Sequence, residues 1–193
     1  MNIFYEPFPR TVEIHGSPYR IVTDFREWIK FMDLVQDETI PMAEKGNMLL
    51  QWYVDVPPLE KSAVYALQKF LIAKELYPPI EEINQEDDEE EEAEQDVVPA
   101  FSYAVDASSI FCAFMSCYHI DLEKVSYLHW WKFKILFDGL PEDTEIKQRI
   151  YYRTLDLSTI KDKDEKKRIR NIQRKISLQK KRLPDDFEIG GMF

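Results

Sequence analysis

Cysteine and histidine are few in this chain, and their spacing matches no known kind of site. The two cysteines, Cys112 and Cys117, lie close together inside a helical pattern, while the three histidines are scattered over most of the chain. Structural zinc sites usually show one close Cys or His pair followed by a second such pair. We therefore expect no metal and no cofactor, and we interpret Cys112 and Cys117 as buried apolar thiols.

Sequence motifs of catalysis are missing as well. The five glycines form no phosphate-binding loop, and neither G-x-S-x-G nor H-E-x-x-H occurs. An enzyme needs a nucleophile with a base, a carboxylate pair in a pocket, a phosphate-binding loop or a metal site. We therefore expect a protein that is not an enzyme and that works by binding other molecules.

Charge is divided between two opposite segments, although the net charge is -11. Glu81–Asp96 holds eleven acidic residues and no basic one, whereas Lys161–Arg182 holds eleven basic and three acidic residues. So acidic a segment cannot bury enough apolar surface to become ordered, and we interpret it as a disordered tether. The basic segment would attract nucleic acid, but the acidic one would repel it. We therefore do not expect nucleic acid as the partner.

The N-terminal region shows the alternation of a β-hairpin. Thr11–His15 and Tyr19–Thr23 alternate apolar and polar residues around the predicted turn Gly16–Pro18. Asp24 then has the type and position of a helix N-cap, with Glu27 as its capping-box partner.

Helical periodicity covers most of the remaining chain. Pro41, Pro57–Pro58 and Pro78–Pro79 bound two helices before the acidic segment, and Gly139 with Pro141 ends one after it. The predicted apolar faces are Phe25, Trp28, Ile29, Met32 and Val35 in the first helix, Phe111, Phe114, Met115 and Tyr118 after the acidic segment, and Ile169, Ile172 and Ile176 in the basic helix.

These elements predict a mainly α protein, with a multi-helix body, a small N-terminal β-hairpin and a disordered acidic insert. The predicted regions are 1–79 (hairpin and helices), 80–98 (acidic tether), 99–183 (C-terminal helical half ending in the basic helix) and 184–193 (flexible tail). The N-terminus lacks the basic start and apolar centre of a secretory signal. The most apolar run, Ile110–Met115, is far shorter than the roughly 20 residues that cross a bilayer. We expect a cytoplasmic protein with no membrane partner.

Residues Leu128–Lys175 resemble the C-terminal signature of the bacteriophage gene product fifteen family, found in long-tailed phages and prophages of Gram-positive bacteria. The matching features are Trp130-Trp131 followed by Lys132-Phe133, Gly139-Leu140-Pro141, Tyr152-Arg153, and Asp156-Leu157-Ser158 leading to Lys161-Asp162-Lys163. The N-terminal hairpin and the acidic insert also resemble this family, so the similarity extends over nearly the whole chain.

The resemblance implies a tail assembly chaperone, which would coat the tape measure protein before the tail tube polymerises around it. The implied partners are the tape measure protein and also the tail tube protein or a companion chaperone. The implied location is the cytoplasm of the host bacterium, outside the mature virion. Self-association into a homo-oligomer is left open. The alternatives are a structural virion component, such as a head-tail connector part, and a nucleic-acid-binding regulator.

Candidate partner-binding residues follow from this interpretation. Trp130 and Phe133 lie off the apolar line of Leu128, Trp131 and Ile135, so we expect at least one large aromatic side chain to be exposed for binding. The alternative is that both tryptophans pack between helices of the C-terminal half, and that the cations simply stay solvated. The full candidate set is Trp130, Trp131, Phe133, Arg153, Lys166, Arg170 and Arg174.

Overall fold

The computed structural model describes residues 1–76 and 100–178. They form seven α-helices and one two-stranded antiparallel sheet, which confirms the mainly α fold with its N-terminal hairpin. The predicted tether 80–98 and tail 184–193 lie outside the described residues. The elements are β1 (Thr11–Ile14), β2 (Ser17–Arg20), α1 (Phe25–Gln36), α2 (Met42–Leu49), α3 (Lys61–Ile72), α4 (Ala107–Tyr118), α5 (Trp130–Asp138), α6 (Glu145–Thr154) and α7 (Lys163–Ile176).

The chain divides into two compact units. Among the described residues, the first unit comprises 1–76 and 127–134, and the second comprises 100–126 and 135–178. The first unit therefore contains β1 to α3 and also takes the start of α5 from a distant part of the sequence. The predicted division into halves at the acidic segment stays a prediction.

The hairpin turn lies earlier than the sequence suggested. Ile14 pairs with Ser17, so the turn is the two-residue loop His15–Gly16, with φ angles of 51° and 76°. Two successive positive φ angles are typical of the type I′ turn, whose twist matches that of the flanking strands. The predicted turn Gly16–Pro18 is therefore wrong, because Ser17 and Pro18 belong to β2.

Pro18 is tolerated inside β2 because of its position in the ladder. It lies opposite Glu13, and the Ile21 N–H donates to the Arg10 carbonyl at the far end of the hairpin. In an antiparallel pair, hydrogen-bonded and non-hydrogen-bonded residue pairs alternate. Counting from Arg10 and Ile21, the pair of Glu13 and Pro18 is a non-hydrogen-bonded one, where the missing N–H of proline costs no ladder bond.

The start of α1 is capped as predicted, but without the reciprocal half of the capping box. Asp24 Oδ1 accepts from the Arg26 N–H at 3.0 Å, which confirms Asp24 as the N-cap. The Glu27 carboxylate instead accepts from Lys30 Nζ at 2.7 Å. The predicted role of Glu27 is therefore wrong, because a lysine one turn along the helix offers it a charge-assisted bond.

Aromatic side chains from α1, α3 and α5 form the core of the first unit. The ring of Trp28 is fully buried and lies 4.8 Å from that of Phe70. The Phe70 ring is 5.3 Å from that of Trp131, and Phe25 stacks on Phe133 at 4.7 Å. Such ring pairs contribute about 0.5–1.5 kcal/mol each beyond the apolar area they bury.

In the second unit, α4 buries a face that differs from the predicted one. Its buried residues are Ser109, Ile110, Ala113 and Phe114, so of the predicted stripe only Phe114 is buried. Cys112 lies on the opposite side and is exposed, and Cys117 is half-buried near the helix end. The prediction of buried thiols is therefore wrong.

Helix α7 packs as its isoleucine pattern predicted. Ile169 is buried, and Ile172 and Ile176 are half-buried on the same side. Asp162 caps the helix by accepting from the Glu165 N–H at 2.7 Å.

Candidate partner-binding surfaces

The paired tryptophans of α5 are interior residues. Trp130, Trp131 and Phe133 are only 2%, 3% and 1% exposed. The prediction that one of these side chains is exposed is therefore wrong. The alternative prediction was that both tryptophans pack between helices of the C-terminal half. Both are buried, but in the first unit.

The burial of both tryptophans has a specific cause at the end of α3. The Trp130 indole N–H donates to the Leu71 carbonyl and the Trp131 indole N–H to the Phe70 carbonyl, each at 2.9 Å. Helix α3 ends at Ile72, and the last carbonyls of a helix have no partner within it. The two indoles therefore satisfy carbonyls that would otherwise be buried without a donor.

His129 holds the start of α5 in place. Its Nε2 donates to the Pro9 carbonyl at 2.9 Å, and its Nδ1 accepts from the Trp131 backbone N–H at 3.0 Å. A carbonyl can only accept and an N–H can only donate, so these partners fix the neutral tautomer with the proton on Nε2. Burial lowers the pKa of His129 below its usual 6.5, although the bond to Pro9 acts in the opposite direction.

Arg153 is also an interior residue and not a surface cation. Its side chain is 2% exposed, and its guanidinium lies 2.6 Å from Asp106 Oδ2 and 2.9 Å from Asp106 Oδ1. It also donates to the carbonyls of Ile176 and Ala100. The donors of Arg153 are thus used inside the second unit, and its predicted contact with a partner stays a prediction.

Asp106 is the centre of this buried cluster. Its side chain is 0% exposed and accepts from Arg153, from Arg149 Nη1 at 3.0 Å and from the Ser102 N–H at 3.0 Å. Burial acts to raise the pKa of Asp106, but the hydrogen bonds and charge of Arg153, with those of Ser102 and Arg149, outweigh it and hold the pKa below its ordinary value. Asp106 therefore stays ionised and joins α4 to α6.

The remaining predicted cations lie on α7. Arg170 and Arg174 are exposed, and Lys166 is half-buried. The structure thus leaves Arg170 and Arg174 accessible and places Lys166 nearer to the packed side.

The sequence reasoning missed an exposed apolar turn near the N-terminus, which consists of Ile3, Phe4 and Tyr5. These side chains are 47%, 86% and 83% exposed. The turn is ordered by the bonds of Asn2, whose Oδ1 accepts from the Phe4 N–H at 3.0 Å and whose carbonyl accepts from the Tyr5 N–H at 3.1 Å. The Glu6 carboxylate in turn accepts from the Asn2 N–H at 3.1 Å. The turn therefore holds two aromatic side chains out in solvent.

The same unit contains an open cleft of about 370 Å³. Thr11 and the charged residues Glu13, Lys69 and Glu75 border it, and its apolar lining consists of Met1, Pro7, Pro9, Val12, Ala66, Phe70 and Trp131. Trp131 is the one residue of the predicted set that contributes to this lining. Composition gave no signal for the cleft, because its walls come from the N-terminal segment, β1, α3 and α5.

Residues suited to metal binding do not converge in the part of the chain that the structure describes. Within 1–76 and 100–178 there is no group of three or more His, Cys, Asp or Glu side chains placed to hold an ion. Over the same residues, no helix has the length and apolar character required to cross a bilayer.

Comparison with known families gives one match. The model of a family described as Bacteriophage Gp15 protein matches residues 4–178. No curated protein and no solved structure matches the chain. The matched residues include Phe4 and Tyr5 of the exposed turn, the buried Asp106 cluster and α7.

Proposed function

The chain belongs to the bacteriophage Gp15 family, which indicates a phage structural or assembly protein, and on that premise we propose that it is a tail assembly chaperone. In this role it binds the tape measure protein and shields its apolar helix faces until the tail tube forms around it. The proposed action is non-catalytic and takes place in the cytoplasm of the host bacterium. The tail tube protein or a companion chaperone is a further proposed partner.

The observation that carries this proposal is the exposed apolar turn beside the cleft of the first unit. A chaperone for an apolar helix needs an accessible apolar surface in its free state. Covering one large apolar side chain is worth roughly 1.5–3 kcal/mol. Phe4 and Tyr5 are the two most exposed large apolar side chains among the described residues, so a client that covers both gains most of the affinity available at this surface.

A co-expression experiment tests the proposal. The tape measure protein from the same phage genome is produced with and without this chain, and the soluble fraction and the co-purified complex are measured. We expect the chain to keep the client soluble, and Phe4→Ser with Tyr5→Ser to weaken binding at least about tenfold, because each 1.4 kcal/mol lost is a factor of ten. The matched control is Val105→Ser with Tyr151→Ser, which removes two exposed apolar side chains from the second unit.

The cleft is tested separately from the turn. Thr11 is exposed on β1 and borders the cleft, so Thr11→Trp places a large side chain there at a strand position that accepts aromatics. We expect this variant to fold normally and to bind the client less tightly. Equal client binding by the wild type and both surface variants would contradict the proposed site. Stoichiometric copies of the chain in purified virions, detected by mass spectrometry, would instead support a structural virion component.

A further inference from the structure

Helix α7 has a fixed orientation, so its outward face is defined. Ile169 is buried, and Gln173 Nε2 donates to the carbonyls of Tyr152 and Leu155, both at 2.9 Å. At the end of the helix, the Ile176 carbonyl accepts from Arg153 Nε at 2.7 Å. These contacts hold one side of α7 against the second unit and leave the other side to solvent.

The outward side carries a line of cations, which we call the cation line: Lys163, Lys167, Arg170 and Arg174. All four are exposed. Their spacing of four, three and four residues places one on each turn of the helix, over a length of about 16 Å. Across residues 1–76 and 100–178, no ion pair joins any of the four to a carboxylate.

The acidic residues of α7 do not interrupt this line. Asp164 and Glu165 lie in the first turn, off the line, and Glu165 makes its ion pair with Arg168 at 3.9 Å. Like charges one turn apart destabilise a helix by about 0.2–0.5 kcal/mol per pair. The cation line therefore weakens the free helix, and a bound anionic partner would remove that repulsion.

The length of the line argues for a polypeptide partner and against nucleic acid. Neutralising four phosphates gives a salt dependence of about -3.6 in log K against log salt, well below that of binders with six to ten phosphate contacts. The chain's net charge of -11 also opposes a polyanion as long as a nucleic acid. A short carboxylate-rich segment can pair with the cation line and extend little beyond it. Because charges more than about 10 Å apart are screened, the other acidic residues of the chain repel such a segment only weakly.

The chain itself contains such a segment. Glu81–Asp96 has eleven carboxylates and no basic residue, and although it lies outside the described residues, its charge follows from its composition. Eleven carboxylates exceed what four cations can pair, so one segment can serve more than one cation line. We propose that the cation line of α7 binds the acidic segment Glu81–Asp96 of a second copy of this chain.

Peptide binding tests the contact directly and does not involve the tape measure protein. A fluorescent peptide of residues 80–98 is titrated into the full chain lacking Glu86–Glu94, and anisotropy is measured at 50 and 300 mM NaCl. We expect binding that weakens with salt, and Lys167→Gln with Arg170→Gln to weaken it about fivefold to tenfold at low salt. The matched control Lys61→Gln with Lys132→Gln also removes two exposed cations, and should change the affinity less than twofold.

Sedimentation of the intact chain tests whether the partner is a second copy. We expect association that increases with protein concentration at 50 mM NaCl and that is reduced by Lys167→Gln with Arg170→Gln or by deleting Glu86–Glu94. A chain that stays monomeric across the concentration series would overturn the proposal, because it would place the contact within one chain. Equal losses in the two double variants, or displacement of the peptide by duplex DNA at 150 mM NaCl, would overturn it as well. None of these results bears on client binding by the first unit.

Discussion

Replacing Asp106 by asparagine tests whether Arg153 is a structural residue or a binding residue. The substitution keeps the size of the side chain but removes its charge, and it leaves Arg153, which is 2% exposed, without its carboxylate. Removing one partner of a buried ion pair typically costs 3–5 kcal/mol, because the other charge is left uncompensated. The total free energy of unfolding of a domain is about 5–15 kcal/mol. Asp106→Asn should therefore remove a large share of the stability of the second unit.

The effect of this substitution should depend on pH. The pKa of Asp106 is lower in the folded chain than its ordinary value of 3.8. A carboxyl group whose pKa is lowered on folding stabilises the folded state above its unfolded pKa, and this contribution is lost as the pH falls through the folded pKa. Below about pH 4 the wild type therefore loses the stabilisation by the ionised Asp106 carboxylate, which Asp106→Asn lacks at every pH. The difference between the two proteins should be largest at pH 7 and should shrink below pH 4.

The measurement must report on the second unit. All four tryptophans lie in the first unit, so their fluorescence follows that unit alone. We therefore propose urea denaturation followed by far-UV circular dichroism, together with hydrogen exchange of peptides from α6 and α7. We expect faster exchange in these helices and a lower urea midpoint for Asp106→Asn.

The control is an equally short ion pair that is exposed. Arg20 and Asp55 form two hydrogen bonds of 2.7 and 2.8 Å, but their side chains are 65% and 46% exposed. Because water and salt screen exposed pairs, Asp55→Asn should have only a small effect. If Asp106→Asn were no more destabilising than Asp55→Asn, the assignment of Arg153 to the interior would be refuted.

Three further predictions concern the hairpin, the start of α5 and the packing of α7. Gly16→Ala should cost about 1 kcal/mol, measured by urea denaturation, because the φ angle of 76° disfavours any side chain even where no atom obstructs it. The pKa of His129 is lowered on folding from 6.5, so neutral His129 stabilises the folded chain above pH 6.5 and this contribution is lost as the pH decreases below it. Unfolding followed by tryptophan fluorescence should show this pH dependence, and His129→Gln should remove it. Ile169→Glu with Ile172→Glu should cost at least about 3 kcal/mol, because it places charge on the packed side of α7; Asn171→Glu, on the exposed side, should unfold at nearly the wild-type temperature.

The parts of the fold that the sequence predicted are those governed by local rules. Asp24 as an N-cap, the glycine-proline stop after α5 and the isoleucine line of α7 depend on residues a few positions apart. The Asp106 cluster does not depend on neighbouring positions, because Arg153 lies 47 residues away from Asp106 in the chain. A lone aspartate before a helix has the pattern of an N-cap, and only the fold shows that its carboxylate accepts from two arginines and the Ser102 N–H.

The tryptophans of α5 show why residue type is a weak guide to a binding surface. Large aromatic residues suit both cores and interfaces, and the spacing of Trp130 and Trp131 placed one of them off the apolar line. Both are buried because α3 ends in carbonyls that need donors, and an indole supplies an N–H and an apolar ring together. These carbonyls lie about sixty residues away in the chain, so no sequence pattern within α5 could predict that the indoles bind them. Phe4 and Tyr5, by contrast, are held in solvent by the bonds of Asn2, with no periodicity to mark them. Client recognition should therefore follow changes at Phe4 and Tyr5 and not the chemistry of the paired tryptophans, whose replacement would first unfold the end of α3.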